Sequence, residues 1–90
     1  MRQLTISEMK QLDSKWFSKG TMKFFNSKIE SQPNKDNIFI TSERMELDQK
    51  KRFTLRKFNQ ETNKVNTLSE FQEFGTIEEA RKARLMKGGF

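Results

Sequence analysis

The chain has 90 residues, of which 32% are hydrophobic and 33% charged, and its formal net charge is +6 at pH 7. This length predicts one small domain over residues 1–90, and nine Phe and one Trp indicate a folded core rather than a disordered chain. The absence of Cys and His excludes disulfides, thiol nucleophiles, Cys-based zinc sites and the commonest general base.

The first predicted element is a helix over about Ile6–Ser18. Thr5 and Glu8 have the spacing of a capping box, in which each side chain satisfies the backbone amide of the other residue. Apolar residues then recur three or four positions apart, which predicts one buried helix face. They are Met9, Leu12 and Trp16. Gly20 is expected to end this helix.

Four β-strands are predicted in the middle of the chain. They cover residues Thr21–Ile29, Asn37–Met45, Arg52–Phe58 and Val65–Phe74. The first has apolar residues in both phases, so it is either buried on both faces or contains a bulge. In the third strand, apolar and polar residues alternate, and Phe53 and Leu55 are the apolar ones. A hairpin loop over Asn59–Lys64 joins the last two strands, and Asn63 is expected to adopt a left-handed conformation there.

A second capping box, at Thr76 and Glu79, predicts the start of a C-terminal helix. Its buried face contains small and apolar residues that permit close approach to a sheet, namely Ile77, Ala80 and Ala83. Gly88 and Gly89 are expected to end it. The predicted fold class is α+β, with an N-terminal helix, a three- to four-stranded antiparallel sheet and a C-terminal helix packed on the sheet.

The strongest functional signal is a basic, partly aromatic segment around the third strand. Its candidate nucleic-acid-binding residues are Lys50, Lys51, Arg52, Thr54, Arg56, Lys57 and Phe58. Arg52, Thr54 and Arg56 share the phase expected to face solvent, where a row of cations can follow a phosphate backbone. Phe58 shares that phase and is expected to be partly exposed. The alternative is a solvated face whose lysines protect an edge strand from pairing.

The other aromatic and acidic residues favour a structural interpretation. Phe53 and Phe71 lie in the phases assigned to the core, and Trp16 is expected between helix and sheet. Glu70 and Glu73 lie close in sequence, but no base, phosphate loop or metal-ligand spacing accompanies them. The sequence therefore predicts a protein that is not an enzyme and needs no metal or other cofactor.

The segment Lys51–Arg84 resembles the three-stranded sheet plus helix of AP2-type domains and of the arm-binding domains of phage and transposon integrases. The resemblance rests on a basic strand, a hairpin, a strand that ends in an aromatic residue, and F-G-T-x-E-E-A leading into a helix. It implies that the outer sheet face enters the DNA major groove. The matching positions are Arg52, Thr54, Arg56 and Phe58 on the sheet, with Phe74, Thr76, Glu79 and Ala80 in the turn and helix.

The chain also resembles small uncharacterised bacteriophage proteins, which implies a phage or mobile-element setting. Three function hypotheses follow, the third being a structural or assembly protein that associates through a strand edge. One is binding of nucleic acid, DNA rather than RNA, by the basic sheet face, with the cations of either helix as the next candidates. These are Lys10, Lys15 and Lys19, or Arg81, Arg84 and Lys87. The alternative is a module that binds an acidic surface of a host enzyme or defence factor. No segment has the pattern of a membrane span or a signal peptide, so a cytoplasmic protein without membrane contact is expected.

Overall fold

The computed structural model describes residues 3–24, 27–44 and 50–87. Within these ranges the elements follow in the order α1 (Ile6–Leu12), α2 (Lys19–Phe24), β1 (Lys28–Ile29), β2 (Ile38–Glu43), β3 (Arg52–Asn59), β4 (Lys64–Thr67) and α3 (Ile77–Lys87). None of the helices in this part of the chain has the length and apolar character needed to cross a bilayer. The predicted α+β architecture is confirmed, since an N-terminal helix precedes a four-stranded sheet and α3 packs on β2 and β3.

The four strands form one antiparallel sheet in the order β1-β2-β3-β4. In the central pair, Ile40 lies opposite Leu55. The predicted hairpin between β3 and β4 is confirmed, and Asn63 has the expected positive φ of 55°. This order leaves β1 and β4 as the two edges and places β3, the most regular predicted strand, inside the sheet.

Both faces of the sheet carry a hydrophobic cluster. On the α3 face, the buried residues are Ile40, Phe53, Leu55, Phe74 and Ala80, with Leu68, Ile77 and Ala83 packed against them. On the opposite face, called the α1 face, they are Leu4, Met9, Phe39 and Phe58, with Ile6, Trp16, Phe17, Ile29 and Val65. Neighbours on a strand point to opposite faces, so Phe39 and Ile40 belong to different clusters. The sheet is therefore the middle of three layers.

The first helix is shorter than predicted. It ends at Leu12, and Asp13 follows as its C-cap. The buried Asp13 carboxylate accepts hydrogen bonds from the backbone amides of Trp16, at 3.3 Å, and Val65, at 3.1 Å. The second bond joins the N-terminal segment to edge strand β4. This long-range contact accounts for the end of the helix at Leu12, although the apolar pattern of the sequence continues to Trp16.

The first predicted strand, Thr21–Ile29, is largely wrong. The structure has helix α2 up to Phe24, and only Lys28 and Ile29 pair with β2. Gly20, expected to end the first helix, lies inside α2 instead. The apolar residues in both phases of this segment do not distinguish a doubly buried strand from a short helix.

The fourth strand ends at Thr67, seven positions before the predicted end. The regular pairing stops there because the Leu55 amide donates to the Ser69 hydroxyl at 3.0 Å instead of to a backbone carbonyl, and further along Gln72 has a positive φ of 59°. The chain returns at Phe74, which forms an isolated bridge with Phe53. Because of this turn, the strand alternation does not continue to Phe71. Phe71 was predicted to lie in the core, but it is 41% exposed.

The first predicted helix start has both contacts of its capping box and the second has only the hydroxyl contact, and removing these hydroxyls is expected to destabilise the fold. The Thr5 hydroxyl accepts from the Glu8 amide at 3.1 Å, and the Glu8 carboxylate accepts from the Thr5 amide at 3.0 Å. The Thr76 hydroxyl accepts from the Glu79 amide at 3.2 Å. We expect Thr5→Ala and Thr76→Ala each to lower the free energy of unfolding by about 1 kcal/mol in urea melts. Thr62→Ala, at an exposed position of the hairpin loop, is the control, and an equal loss there would contradict a role for the caps.

Candidate nucleic-acid interface

Three of the predicted site residues are buried on the α1 face. The exposed fractions of Thr54, Arg56 and Phe58 are 0%, 7% and 0%. The expectation that this phase of β3 faces solvent is therefore wrong. It is covered because the N-terminal segment crosses it, with Leu4 and Met9 in the same cluster as Phe58.

All three guanidinium nitrogens of Arg56 make hydrogen bonds within the protein. Its Nε donates to the Thr41 hydroxyl at 3.2 Å, and a terminal nitrogen lies 3.3 Å from the Glu43 carboxylate. The other terminal nitrogen bonds the Thr67 hydroxyl. The rings of Trp16 and Phe71 lie 5.5 and 5.8 Å from the guanidinium carbon. A guanidinium in contact with two aromatic rings and paired in this way stabilises the fold and is not available to a phosphate.

Glu43 is the anionic centre of this buried network. One carboxylate oxygen accepts from the Thr54 hydroxyl at 2.7 Å, and the other accepts from the Ser27 hydroxyl at 2.7 Å and from Arg56. Within the described residues, no buried side-chain nitrogen or oxygen lacks a hydrogen-bond partner. The network therefore meets the condition under which a charged pair is tolerated in a core.

The other acidic residues considered for chemistry do not form a reactive pair. Glu70 and Glu73 are both exposed, and a Glu73 carboxylate oxygen accepts from the Glu70 backbone amide at 3.0 Å. Glu46, which lies three positions after Glu43 in the sequence, is outside the described residues. Across residues 3–24, 27–44 and 50–87, no group of three metal-ligating side chains has the geometry to hold an ion.

The cations at the start of β3 are exposed, but two of them have partners within the protein. Arg52 donates through Nε to the Gln72 carbonyl at 2.8 Å and through a terminal nitrogen to the Glu73 carbonyl at 3.2 Å. Lys51 lies 3.3 Å from the Glu30 carboxylate. Lys50 is exposed. Arg52 therefore stabilises the turn before α3, and Lys51 links the start of β3 to the segment after β1.

The hydrogen bond from the Ser42 hydroxyl is the main reason that the pKa of Glu30 lies below its ordinary value. Burial opposes this effect, and the neighbouring Lys51 adds to the lowering. Glu30 therefore stays ionised to lower pH than an ordinary glutamate, and its ion pair with Lys51 persists over the same range.

Lys57 lies on the other side of the sheet from Arg56. It is partly exposed and sits opposite Ile38 on β2 and Asn66 on β4. Asn59 lies opposite Lys64, so these two residues share the α3 face with Lys57 and Asn66. The buried cluster under α3 ends at Leu55 on this strand, and the hairpin end beyond it presents polar and basic side chains to solvent.

Helix α3 brings two more cations to this end of the sheet. A terminal nitrogen of Arg84 donates to the Ser31 hydroxyl at 3.1 Å and the Gln32 carbonyl at 3.0 Å, and lies 3.5 Å from the Ile38 carbonyl. Because Ile38 is the cross-strand neighbour of Lys57, Arg84 approaches the same part of the sheet. Burial, and then the positive charge of Arg81, lower the pKa of Arg84 from its ordinary value. We call this set the hairpin–helix surface: Lys57, Lys64, Asn66, Arg81 and Arg84.

Sequence reasoning named Lys57, Arg81 and Arg84 but placed them in separate candidate sites. It missed Lys64 and Asn66 altogether. The signal that identifies these two is the register of the predicted hairpin, which pairs Asn66 with Lys57 and Lys64 with Asn59. The approach of α3 has no comparable local signal, because it depends on packing of the helix against the sheet.

Comparison with protein-family models matches residues 5–85 to DUF7447, described as a family of unknown function. The matched range begins at the cap of α1 and ends within α3, so it includes all four strands and both covered faces of the sheet. The chain belongs to this family. Comparisons with curated proteins and with solved structures gave no match.

Proposed function

We propose that this member of the DUF7447 family is a small, non-enzymatic nucleic-acid-binding protein that contacts phosphates through its hairpin–helix surface. The observation that carries this proposal is the gathering of Lys57, Arg81 and Arg84 at one end of the α3 face. Burial is the main cause of the lowered pKa of Arg84, and repulsion by the positive charge of Arg81 is the second. A polyanion that binds there relieves the repulsion and releases its own counterions.

The proposal uses a different surface from the basic run at the start of β3. In that run, the Lys51 ammonium is paired with Glu30 and the Arg52 guanidinium bonds two carbonyls. Binding a phosphate there requires breaking existing contacts. The side chains of Lys57 and Lys64 lie at the solvent-accessible end of the hairpin. A phosphate that binds there therefore breaks fewer existing contacts within the protein. DNA is the first ligand to test, in both duplex and single-stranded form.

A second candidate function is binding to an acidic surface of a partner protein, such as a host enzyme or defence factor. It is favoured by two exposed apolar residues on α3, Leu85 at 52% and Met86 at 84% exposure. Both follow directly after Arg84, so one helix end offers apolar side chains beside cations. Protein interfaces combine such apolar contacts with complementary charge.

Removing cations from the hairpin–helix surface is expected to weaken DNA binding in a salt-dependent way. We compare the double variant Lys57→Gln/Arg81→Gln with the wild type by fluorescence anisotropy, using labelled duplex and single-stranded oligonucleotides across a salt series. Each lost phosphate contact is expected to make the plot of log affinity against log salt shallower by about 0.7–0.9. Arg84 is retained in this variant because its bonds to Ser31 and Gln32 stabilise the fold.

The matched control is Lys10→Gln/Lys19→Gln, which removes the same charge from exposed positions of α1 and α2. We expect it to leave the salt dependence nearly unchanged. A larger loss in the control than in the test variant would contradict the hairpin–helix surface and favour the N-terminal helices. Absence of wild-type binding at low salt would contradict nucleic-acid binding and favour the protein partner.

A further inference from the structure

We propose that the cleft at the tip of the β3–β4 hairpin binds one unpaired guanine base of a single-stranded nucleic acid. This inference rests on the proposed function and names the ligand that the same surface selects. The cleft has a volume of about 370 Å³. It is lined by Lys57, Phe58, Asn59, Gln60, Glu61 and Asn66. It therefore shares Lys57 and Asn66 with the hairpin–helix surface.

The size and walls of the cleft fit a single base. Pockets for small ligands span roughly 300–1,000 Å³, so this one lies near the lower limit. Phe58 contributes little beyond its backbone, because its ring is fully buried in the cluster on the α1 face. The other five lining residues all end in polar or charged groups, while the exposed wall itself is more apolar than polar. Such walls suit hydrogen bonding to the edge of a base, and those edges are free to enter a cleft only when the strand is unpaired.

The loop that carries Glu61 is held by local hydrogen bonds. The Asn59 side-chain oxygen accepts from the Glu61 amide at 2.8 Å and from the Thr62 amide at 3.4 Å. Asn63 adopts the positive φ that closes this turn. The loop backbone is therefore shaped before a ligand arrives, which lowers the cost of ordering it on binding.

The polar groups of the cleft are one cation, one carboxylate and three side-chain amides. Within the described residues, no salt bridge joins the Lys57 ammonium to the Glu61 carboxylate. Lys57 can donate to an acceptor on the ligand, and Glu61 can accept from donors beside it. Asn66, exposed and directly across the strands from Lys57, can do either. A ligand that presents an acceptor next to two donors satisfies Lys57 and Glu61 together, and the amides can pair with either kind of group.

Guanine is the base that presents this pattern. Its O6 and N7 atoms accept, and the adjacent N1–H and N2–H groups donate in parallel to one carboxylate. Adenine and cytosine each offer one exocyclic amino group beside acceptors, and thymine offers one N–H between two carbonyls. Only guanine gives Glu61 two neighbouring donors while it gives Lys57 an acceptor.

Glu61→Gln separates base recognition from phosphate attraction, because the two effects have opposite signs. We measure binding of a thymidine oligonucleotide of about ten nucleotides, with and without one central guanine. For the wild type we expect about tenfold tighter binding of the guanine-containing strand. In Glu61→Gln we expect this preference to disappear, while the all-thymidine strand binds equally or more tightly because a negative charge is lost.

The matched control is Glu78→Gln, which removes the same charge from an exposed position of α3 and is expected to keep the guanine preference. Equal wild-type affinity for the two strands would overturn the guanine cleft while leaving the proposed phosphate contacts standing. A guanine preference that survives Glu61→Gln would also overturn it. Wild-type protein that binds neither strand would overturn the proposed function itself, so the two failures are distinct.

Discussion

Replacing Glu43 by Ala is expected to lower the free energy of unfolding by about 3–5 kcal/mol, because it leaves the buried Arg56 guanidinium without its counter-charge. The side chain of Glu43 is fully inaccessible to solvent, and that of Arg56 is 8% accessible. The hydroxyls of Thr54 and Ser27 also lose their acceptor in this variant. For a small domain with marginal stability, such a loss leaves much of the population unfolded.

A double-mutant cycle tests whether the two charges act as a pair. Arg56→Met alone is expected to be destabilising for the same reason, since it leaves the Glu43 carboxylate buried and unpaired. The double variant Glu43→Ala/Arg56→Met removes both charges and is expected to lose less than the sum of the single changes. Urea melts of the four proteins give the coupling free energy. Strictly additive losses would contradict the pairing.

Glu30→Ala is the control for loss of a carboxylate that is not fully buried. Glu30 also has a cationic partner, Lys51, but its side chain is 25% and that of Lys51 55% accessible. We expect a cost of about 1 kcal/mol or less for that ion pair, because solvent screens it. A cost equal to that of Glu43→Ala would contradict the distinction between the buried and the exposed pair.

Phe58→Ala is expected to lower the free energy of unfolding by about 3–5 kcal/mol, since it opens a cavity in the cluster on the α1 face. The Phe58 ring is fully buried, and that cluster includes Leu4 and Met9 from the N-terminal segment and Phe39 from β2. Loss of the ring therefore weakens the packing of the N-terminal segment on the sheet. The measurement is the urea midpoint together with the slope of the transition.

Phe71→Ala is the matched control, because it makes the same chemical change at a residue that is 41% exposed. Phe71 contacts the Arg56 guanidinium at 5.8 Å, and loss of such a cation–π contact costs about 0.5–1 kcal/mol at an exposed site. A larger loss for Phe71→Ala than for Phe58→Ala would contradict the assignment of these two rings to surface and core.

These expected results affect how binding experiments are interpreted. A charge substitution at Arg56 lowers stability, so weaker DNA binding by that variant does not identify a contact. Lys57 lies two positions along β3 from Leu55 on the α3 face and is partly exposed. Substitution of Lys57 tests the hairpin–helix surface without disturbing the buried network. Each binding variant should therefore be compared with the wild type by its urea midpoint first.

Local sequence patterns determined the parts of the fold that depend on neighbouring residues. The hydroxyl and carboxylate spacing at Thr5 and Glu8 predicted the start of α1, and Thr76 did the same for α3. The alternation along Arg52–Phe58 predicted β3, which the structure extends to Asn59, and Asn63 predicted the turn of its hairpin. Each of these interactions joins residues only a few positions apart, so the local sequence is sufficient to predict it.

Only the tertiary structure decided which side of β3 faces solvent. Alternation shows that Thr54, Arg56 and Phe58 share a face, but it does not show whether another segment covers that face. Here residues near the N-terminus cover it, and Glu43 on β2 supplies the charge that lets Arg56 be buried. The approach of Arg84 to the sheet beside Lys57 depends in the same way on packing across 46 positions of the chain, from Arg84 to Ile38. A period-two pattern carries no information about contacts at that separation, because the free energy that selects them comes from burial and charge pairing in the assembled fold.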